Sequence, residues 1–122
     1  MNWRAMKALH LILLTVAALS VTSWATDEKT IEAAGAAQHV GETLVVHGII
    51  ADVHQFKGGS VVLDFGSKYP HQTFAVFIPR NLADVTGDMH EYVGKEMVVE
   101  GTIELYKGKP EIKLEDAGQL RR

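Results

Sequence analysis

Three short stretches of the chain set an aromatic ring beside a lysine: Phe56-Lys57-Gly58-Gly59, Lys68-Tyr69 and Tyr106-Lys107-Gly108-Lys109. Rings stack on flat groups such as bases, and ammonium groups hold phosphates. Three such neighbours, with Arg80 as a further cation, are candidate parts of a cleft for single-stranded nucleic acid or another oligomeric ligand. The competing expectation is plainer. Glycine and lysine suit hairpin turns, and the rings would then cover the ends of the fold.

Other chemistries find less support. Apart from His10, the histidines are His39, His47, His54, His71 and His90, and no two have the i, i+4 spacing of a helical zinc site. His54 and Asp52 fall on one strand face and would need His47 or His71 to complete a metal site, so no metal is expected. Surface histidines that titrate near neutrality are the simpler reading. Ser60, Ser67 and Thr73 lie in no nucleophile elbow, and no convergent acid–base set is visible. A non-catalytic protein without a cofactor is expected. The chain has no cysteine, which excludes disulfides, thiolate metal sites and a thiol nucleophile.

These residues must be held by a small fold. A length of 122 residues supports one domain. Residues 1–25 carry Arg4 and Lys7, then an apolar run over 8–21, then Ser23-Trp24-Ala25 with small residues at −3 and −1. That is the layout of a secretory signal peptide cleaved after Ala25, which implies a periplasmic or secreted protein with no membrane anchor after cleavage. Without those residues, ten bases face fifteen acids and the net charge moves from −3 to −5.

Residues 26–40 read as a short helix, capped by Thr26 or Thr30, rich in alanine and closed by Gly41. From there the hydrophobic period is two, over a domain spanning 41–122. Strands are expected at 43–56, 60–65, 73–78, 95–106 and 111–115, with a broken helix over 80–92 between the third and fourth. Residues 39–50 and 92–103 form an internal repeat, with six of twelve positions identical. Each copy has a glycine before a strand and another midway along it (Gly41 and Gly48, Gly94 and Gly101). A mid-strand glycine fits a bend or bulge where a small barrel closes. Alternation puts Met97, Val99, Ile103 and Leu105 inside, with Glu96, Glu100 and Glu104 on an outer acidic face, and by transfer puts Leu44, Val46 and Ile50 inside and His47 outside.

The expected fold class is all-β with one or two helices: a five-stranded OB-fold barrel preceded by a short helix. Tyr92-Val93-Gly94-Lys95, Val98-Val99-Glu100-Gly101, Tyr106-Lys107-Gly108-Lys109-Pro110-Glu111-Ile112, Asp64-Phe65-Gly66 and the run 74–78 carry a resemblance over about 38–120. The chain resembles the small bacterial OB-fold domains associated with secreted thermonuclease-type nucleases. That resemblance implies a nucleic-acid-binding module rather than a nuclease, since Arg80 is too little for phosphodiester chemistry. The expected cleft lies between the loops joining the first and second strands and the fourth and fifth. Its residues would be Phe56, Lys57, Lys68, Tyr69, Arg80, Tyr106, Lys107 and Lys109. The alternative is a periplasmic envelope-stress-type OB protein that binds a small cationic ligand or a protein partner through its acidic surface.

Overall fold

The computed structural model describes residues 29–122. The expected signal segment and its cleavage point lie outside the described residues. Eight strands are present among those described: β1 (Thr30–Glu32), β2 (Thr43–Gln55), β3 (Val61–Phe65), β4 (Phe74–Ile78), β5 (Glu96–Thr102), β6 (Glu104–Tyr106), β7 (Lys109–Lys113) and β8 (Leu120–Arg121). One α-helix, α1 (Arg80–Thr86), and three 3₁₀ segments complete the described residues.

The sheet runs β6-β7-β4-β3-β2-β5-β8, with β1 added beside β2. The pairs β1–β2 and β4–β7 are parallel, and the remaining pairs are antiparallel. Five strands were expected. The additional three are β1, β8 and the division of the expected fourth strand at Ile103. The hydrogen-bonded path does not close on itself. Its two arms are nevertheless one stretch of chain, because only the fully buried Ile103 separates β5, which pairs with β2, from β6, which pairs with β7.

That division also corrects one inward assignment. Met97, Val99 and Ile103 are buried, but Leu105 is 58% exposed. Beyond Ile103 the chain leaves β2 for β7, so the alternation of β5 does not continue through β6. Leu44, Val46 and Ile50 are buried as the repeat requires.

The expected N-terminal helix is corrected too. Thr30–Glu32 forms a strand, and Ala33–His39 is a 3₁₀ helix. β-branched Thr30 and Ile31 favour extended chain, and Gly35 weakens a regular α-helix. A 3₁₀ helix aligns i and i+3, so Ala33 and Ala36 are the pair it buries. The broken helix over 80–92 is α1 followed by a separate 3₁₀ turn, His90–Tyr92, with Gly87 at a φ of 78° ending α1.

The internal repeat folds into a local two-fold arrangement. The two copies pair with each other along β2 and β5. The Gly41 N–H donates to the Ile103 carbonyl (2.8 Å), and its counterpart Gly94 donates to Ile50 (2.7 Å). The mid-strand glycines make room. A Cβ on Gly48 would lie 2.8 Å from the Cβ of Ala33, and one on Gly101 would lie 2.7 Å from Cγ2 of Ile112. Beneath them the core packs Phe65 edge-on to Phe74 at 5.3 Å, among the buried Leu63, Val76, Ile78 and Met97.

Candidate ligand cleft

The outer face of β2, β3, β4 and β7 carries a cleft of about 500 Å³. Register builds its floor. Asp52 of β2 pairs with Asp64 of β3, Asp64 with Ala75 of β4, and Ala75 with Glu111 of β7. All four line the cleft. Beyond Glu111, β6 adds Glu104 to the same transverse row. The row therefore sets carboxylates on both sides of one small side chain.

The walls are aromatic. Phe56 at the end of β2, Tyr69 in the loop after β3, and Tyr106 at the end of β6 line the cleft, and all three are exposed. The His54 ring meets Phe56 edge-on, with centroids 4.4 Å apart. The hairpin at Lys107-Gly108 positions Tyr106. Both residues have positive φ, 50° and 80°, as a two-residue type I′ turn requires.

Five of the expected site residues converge here: Phe56, Tyr69, Tyr106, Lys107 and Lys109. Lys57 and Arg80 instead line a separate groove of about 770 Å³ beside α1, with Asp84, Asp88 and His90. Arg80 packs along the hairpin there, since a Cβ on Gly59 would lie 2.9 Å from its Cγ. Lys68 lines neither groove.

The two lysines of the cleft are already engaged. Lys107 Nζ stands 5.4 Å from the centroid of the Tyr106 ring. Lys109 Nζ donates to the backbone carbonyls of Pro70 (2.9 Å) and Gln72 (3.3 Å), tying the hairpin to the loop that carries Tyr69.

Burial shapes the charge of the floor. Asp64 is 3% exposed. Its carboxyl is pushed above its ordinary range by burial and then by Asp52, while His54 and a hydrogen bond from the Tyr69 backbone pull it down. Glu111 is also raised, by burial first and then by Glu104, with Lys113 opposing. Gln72 lines the same cleft and is 7% exposed, and its Oε1 has no hydrogen-bond partner. A buried acceptor left unpaired costs about 1–3 kcal/mol.

Asp64, Gln72 and Glu111 were not among the site residues expected from sequence. Each is ordinary in its own strand or loop, and only cross-strand register brings them together. His47 Nδ1 lies 3.1 Å from Glu96 Oε2 and takes no part in the cleft. Among the described residues no group of three or more His, Asp or Glu side chains is arranged to hold a metal ion. Nor is any helix among them long and apolar enough to cross a membrane.

The fold is that of a small, mainly β domain with an aromatic-walled cleft on one sheet face. Comparison with solved structures shows the same fold in part of an aspartyl-tRNA synthetase from Leishmania major Friedlin, at 12% identity and a TM-score of 0.54. The match covers 82% of this chain and 22% of the synthetase chain. A second similar structure is the OBody AM1L10 bound to hen egg-white lysozyme, at 19% identity and a TM-score of 0.49, covering 75% of this chain and 90% of that one. No family model matches the sequence, and no curated protein matches it.

Proposed function

We propose that this chain is an exported, non-catalytic binding domain of the OB type whose cleft takes a cationic ligand. In this reading β2, β3, β4 and β7, with β5 and β6 as one strand bent at Ile103, are the five strands of the barrel. The close approach of Gly101 to Ile112, which brings β5 against β7, supports that bend. Export rests on the composition of residues 1–25.

The observation that carries the ligand class is the row Asp52, Asp64 and Glu111 across the floor of an aromatic-walled cleft. Carboxylates attract a cation, and exposed rings hold its charged or alkyl part through cation–π and apolar contact. Lys107 lies against the Tyr106 ring and Lys109 donates to two carbonyls, so neither ammonium is ion-paired with an acid of the floor.

A second reading, single-stranded nucleic acid, is favoured by the exposed Phe56, Tyr69 and Tyr106 rings, on which bases stack. The carboxylate row opposes it, since phosphates would approach three acids. Calorimetric titration with spermidine and with a thymidine oligonucleotide, each at about 50 and 200 mM salt, separates the two. The cationic reading expects spermidine binding that is lost in Asp64→Asn. Oligonucleotide binding that weakens steeply with salt and is lost when Lys107 and Lys109 become Glu, with no spermidine binding, would replace it by the nucleic-acid reading.

A further inference from the structure

The cleft brings three carboxyl groups together with one buried acceptor that has no partner. Asp52, Asp64 and Glu111 each present a carboxyl group, and Gln72 Oε1 is buried without a partner. Lys109 Nζ, which lines the same cleft, donates to the carbonyls of Pro70 and Gln72. Those two bonds hold the backbone of Gln72 in place while leaving its side-chain oxygen unanswered. Ala75 sits between Asp64 and Glu111 in the row, so nothing larger than a methyl group stands between the two acids. A neutral ligand would leave the carboxylates uncompensated. A cation without N–H groups would compensate them and still leave Gln72 Oε1 unpaired.

We propose that the cleft is a seat for an N–H-bearing cation, a primary ammonium or guanidinium carried on an alkyl chain, and that Gln72 Oε1 is the acceptor that selects it over a quaternary ammonium of equal charge. The head group lies over Ala75 between Asp64 and Glu111. A turn of the Gln72 amide brings Oε1 onto one of its protons. The alkyl chain leaves past Phe56, Tyr69 and Tyr106. This inference rests on the cationic reading above and adds the chemical selectivity of the seat. A free polyamine and the basic side chain of a protein segment share this chemistry.

The test is calorimetry on the described domain's full chain, using two probes matched in length, butylammonium and butyltrimethylammonium. The expected result is a preference of about ten-fold for butylammonium, which is about 1.4 kcal/mol. In Gln72→Met, which keeps the shape and removes the acceptor, the preference should fall to near one while butyltrimethylammonium binds as before. In Gln72→Glu the preference should persist. Equal binding of the two probes by the unmodified protein overturns the selectivity, and so does an unchanged preference in Gln72→Met. In either case the cationic reading itself stands. Binding of neither probe, and of no spermidine, removes the cationic reading and this inference with it. Competition by spermidine against an acetylated, amidated arginine tripeptide then identifies the source, through whichever displaces butylammonium at the lower concentration.

Discussion

Asp52 of β2 stands directly opposite Asp64 of β3 across an antiparallel ladder, with both side chains on the cleft face. Like charges in this position destabilise a sheet. Folding alone gives no reason to set them there, and a ligand that carries positive charge does. Asp64→Asn is therefore expected to stabilise the free protein at pH 7 by about 0.5 kcal/mol, within the usual range for cross-strand pairs. The same change should weaken spermidine binding. Urea unfolding and titration calorimetry measure the two effects, and a variant that lost stability without losing binding would contradict this account of the floor.

Asp64 and Glu111 fix a pH dependence. The Asp64 and Glu111 carboxyls are raised above their ordinary values of 3.8 and 4.5, chiefly by burial. A raised carboxyl binds protons more readily in the folded state. Its contribution to stability is therefore fully present below the ordinary value and is lost as pH rises through the folded value. Exposed Glu42 and Asp88 are lowered, by hydrogen bonds from His39 and from the His90 backbone respectively, and act in the opposite sense. Ligand binding should weaken as pH falls, because protonation removes the charge of the floor. Comparing unfolding curves from pH 4 to 7 should show a protein carrying Asp64→Asn and Glu111→Gln gaining stability relative to the parent as pH rises. An identical profile would separate these groups from the acid response.

Lys109 positions the loop after β3 through its bonds to Pro70 and Gln72. Lys109→Met keeps the aliphatic stem and removes both bonds. The expected loss is about 1–2 kcal/mol, at about 1 kcal/mol for each bond. The effect should be local. Amide exchange should accelerate over 66–73 and stay unchanged at Leu63 and Val76 in the core, and equal acceleration throughout would show that the lysine does not act on the loop.

Arg122 ties the C-terminus to α1 and the turn after it. Its Nη2 donates to the carbonyl of Thr86 (2.8 Å) at the end of α1 and, at 3.9 Å, to Met89 Sδ, and its guanidinium lies 5.3 Å from the centroid of the Tyr92 ring. Arg122→Ala removes these contacts, so a loss of about 1–2 kcal/mol is expected. Arg122→Lys keeps the charge but should recover only part of it, because an ammonium cannot lie flat on the ring while reaching the carbonyl. Thermal unfolding of the two variants measures the difference.

The strands were legible because 43–56, 60–65 and 73–78 are rich in β-branched and aromatic residues, and the helix beginning at Arg80 was legible in part, since Met89 of the expected helix over 80–92 falls beyond the end of α1. The break at Ile103 was not. Leu105 continues the alternation of Met97 and Val99, and nothing in the spacing reports that the chain has changed partners. The cleft was half legible for the same reason. Phe56, Tyr69 and Tyr106 stand out in turns by type, whereas Asp64 and Glu111 become neighbours of one alanine only through the register of two ladders. Lys57 and Arg80 were grouped with the aromatics by chemistry, but Arg80 of α1 packs against the hairpin that carries Lys57, and both line the other groove. The C-terminal strand β8 is two residues long and has no period to detect.

The repeat was legible, and its mid-strand glycines have a contact-level cause that can be tested. Gly48 admits Ala33 of the 3₁₀ helix against β2, with a Cβ there meeting Ala33 Cβ at 2.8 Å and Phe65 Cδ2 at 3.1 Å. Gly48→Ala should destabilise by about 1–3 kcal/mol, the usual range for overpacking a closely packed site. The clash is with a single methyl group first, so Ala33→Gly in the same chain should recover part of the loss. The two changes would then show a favourable coupling of about 0.5 kcal/mol or more. Strict additivity in urea unfolding would mean that Gly48 is needed for its own backbone rather than for the approach of Ala33. The φ of Gly48 lies outside the left-handed region, so the contact is the physical cause that predicts the coupling.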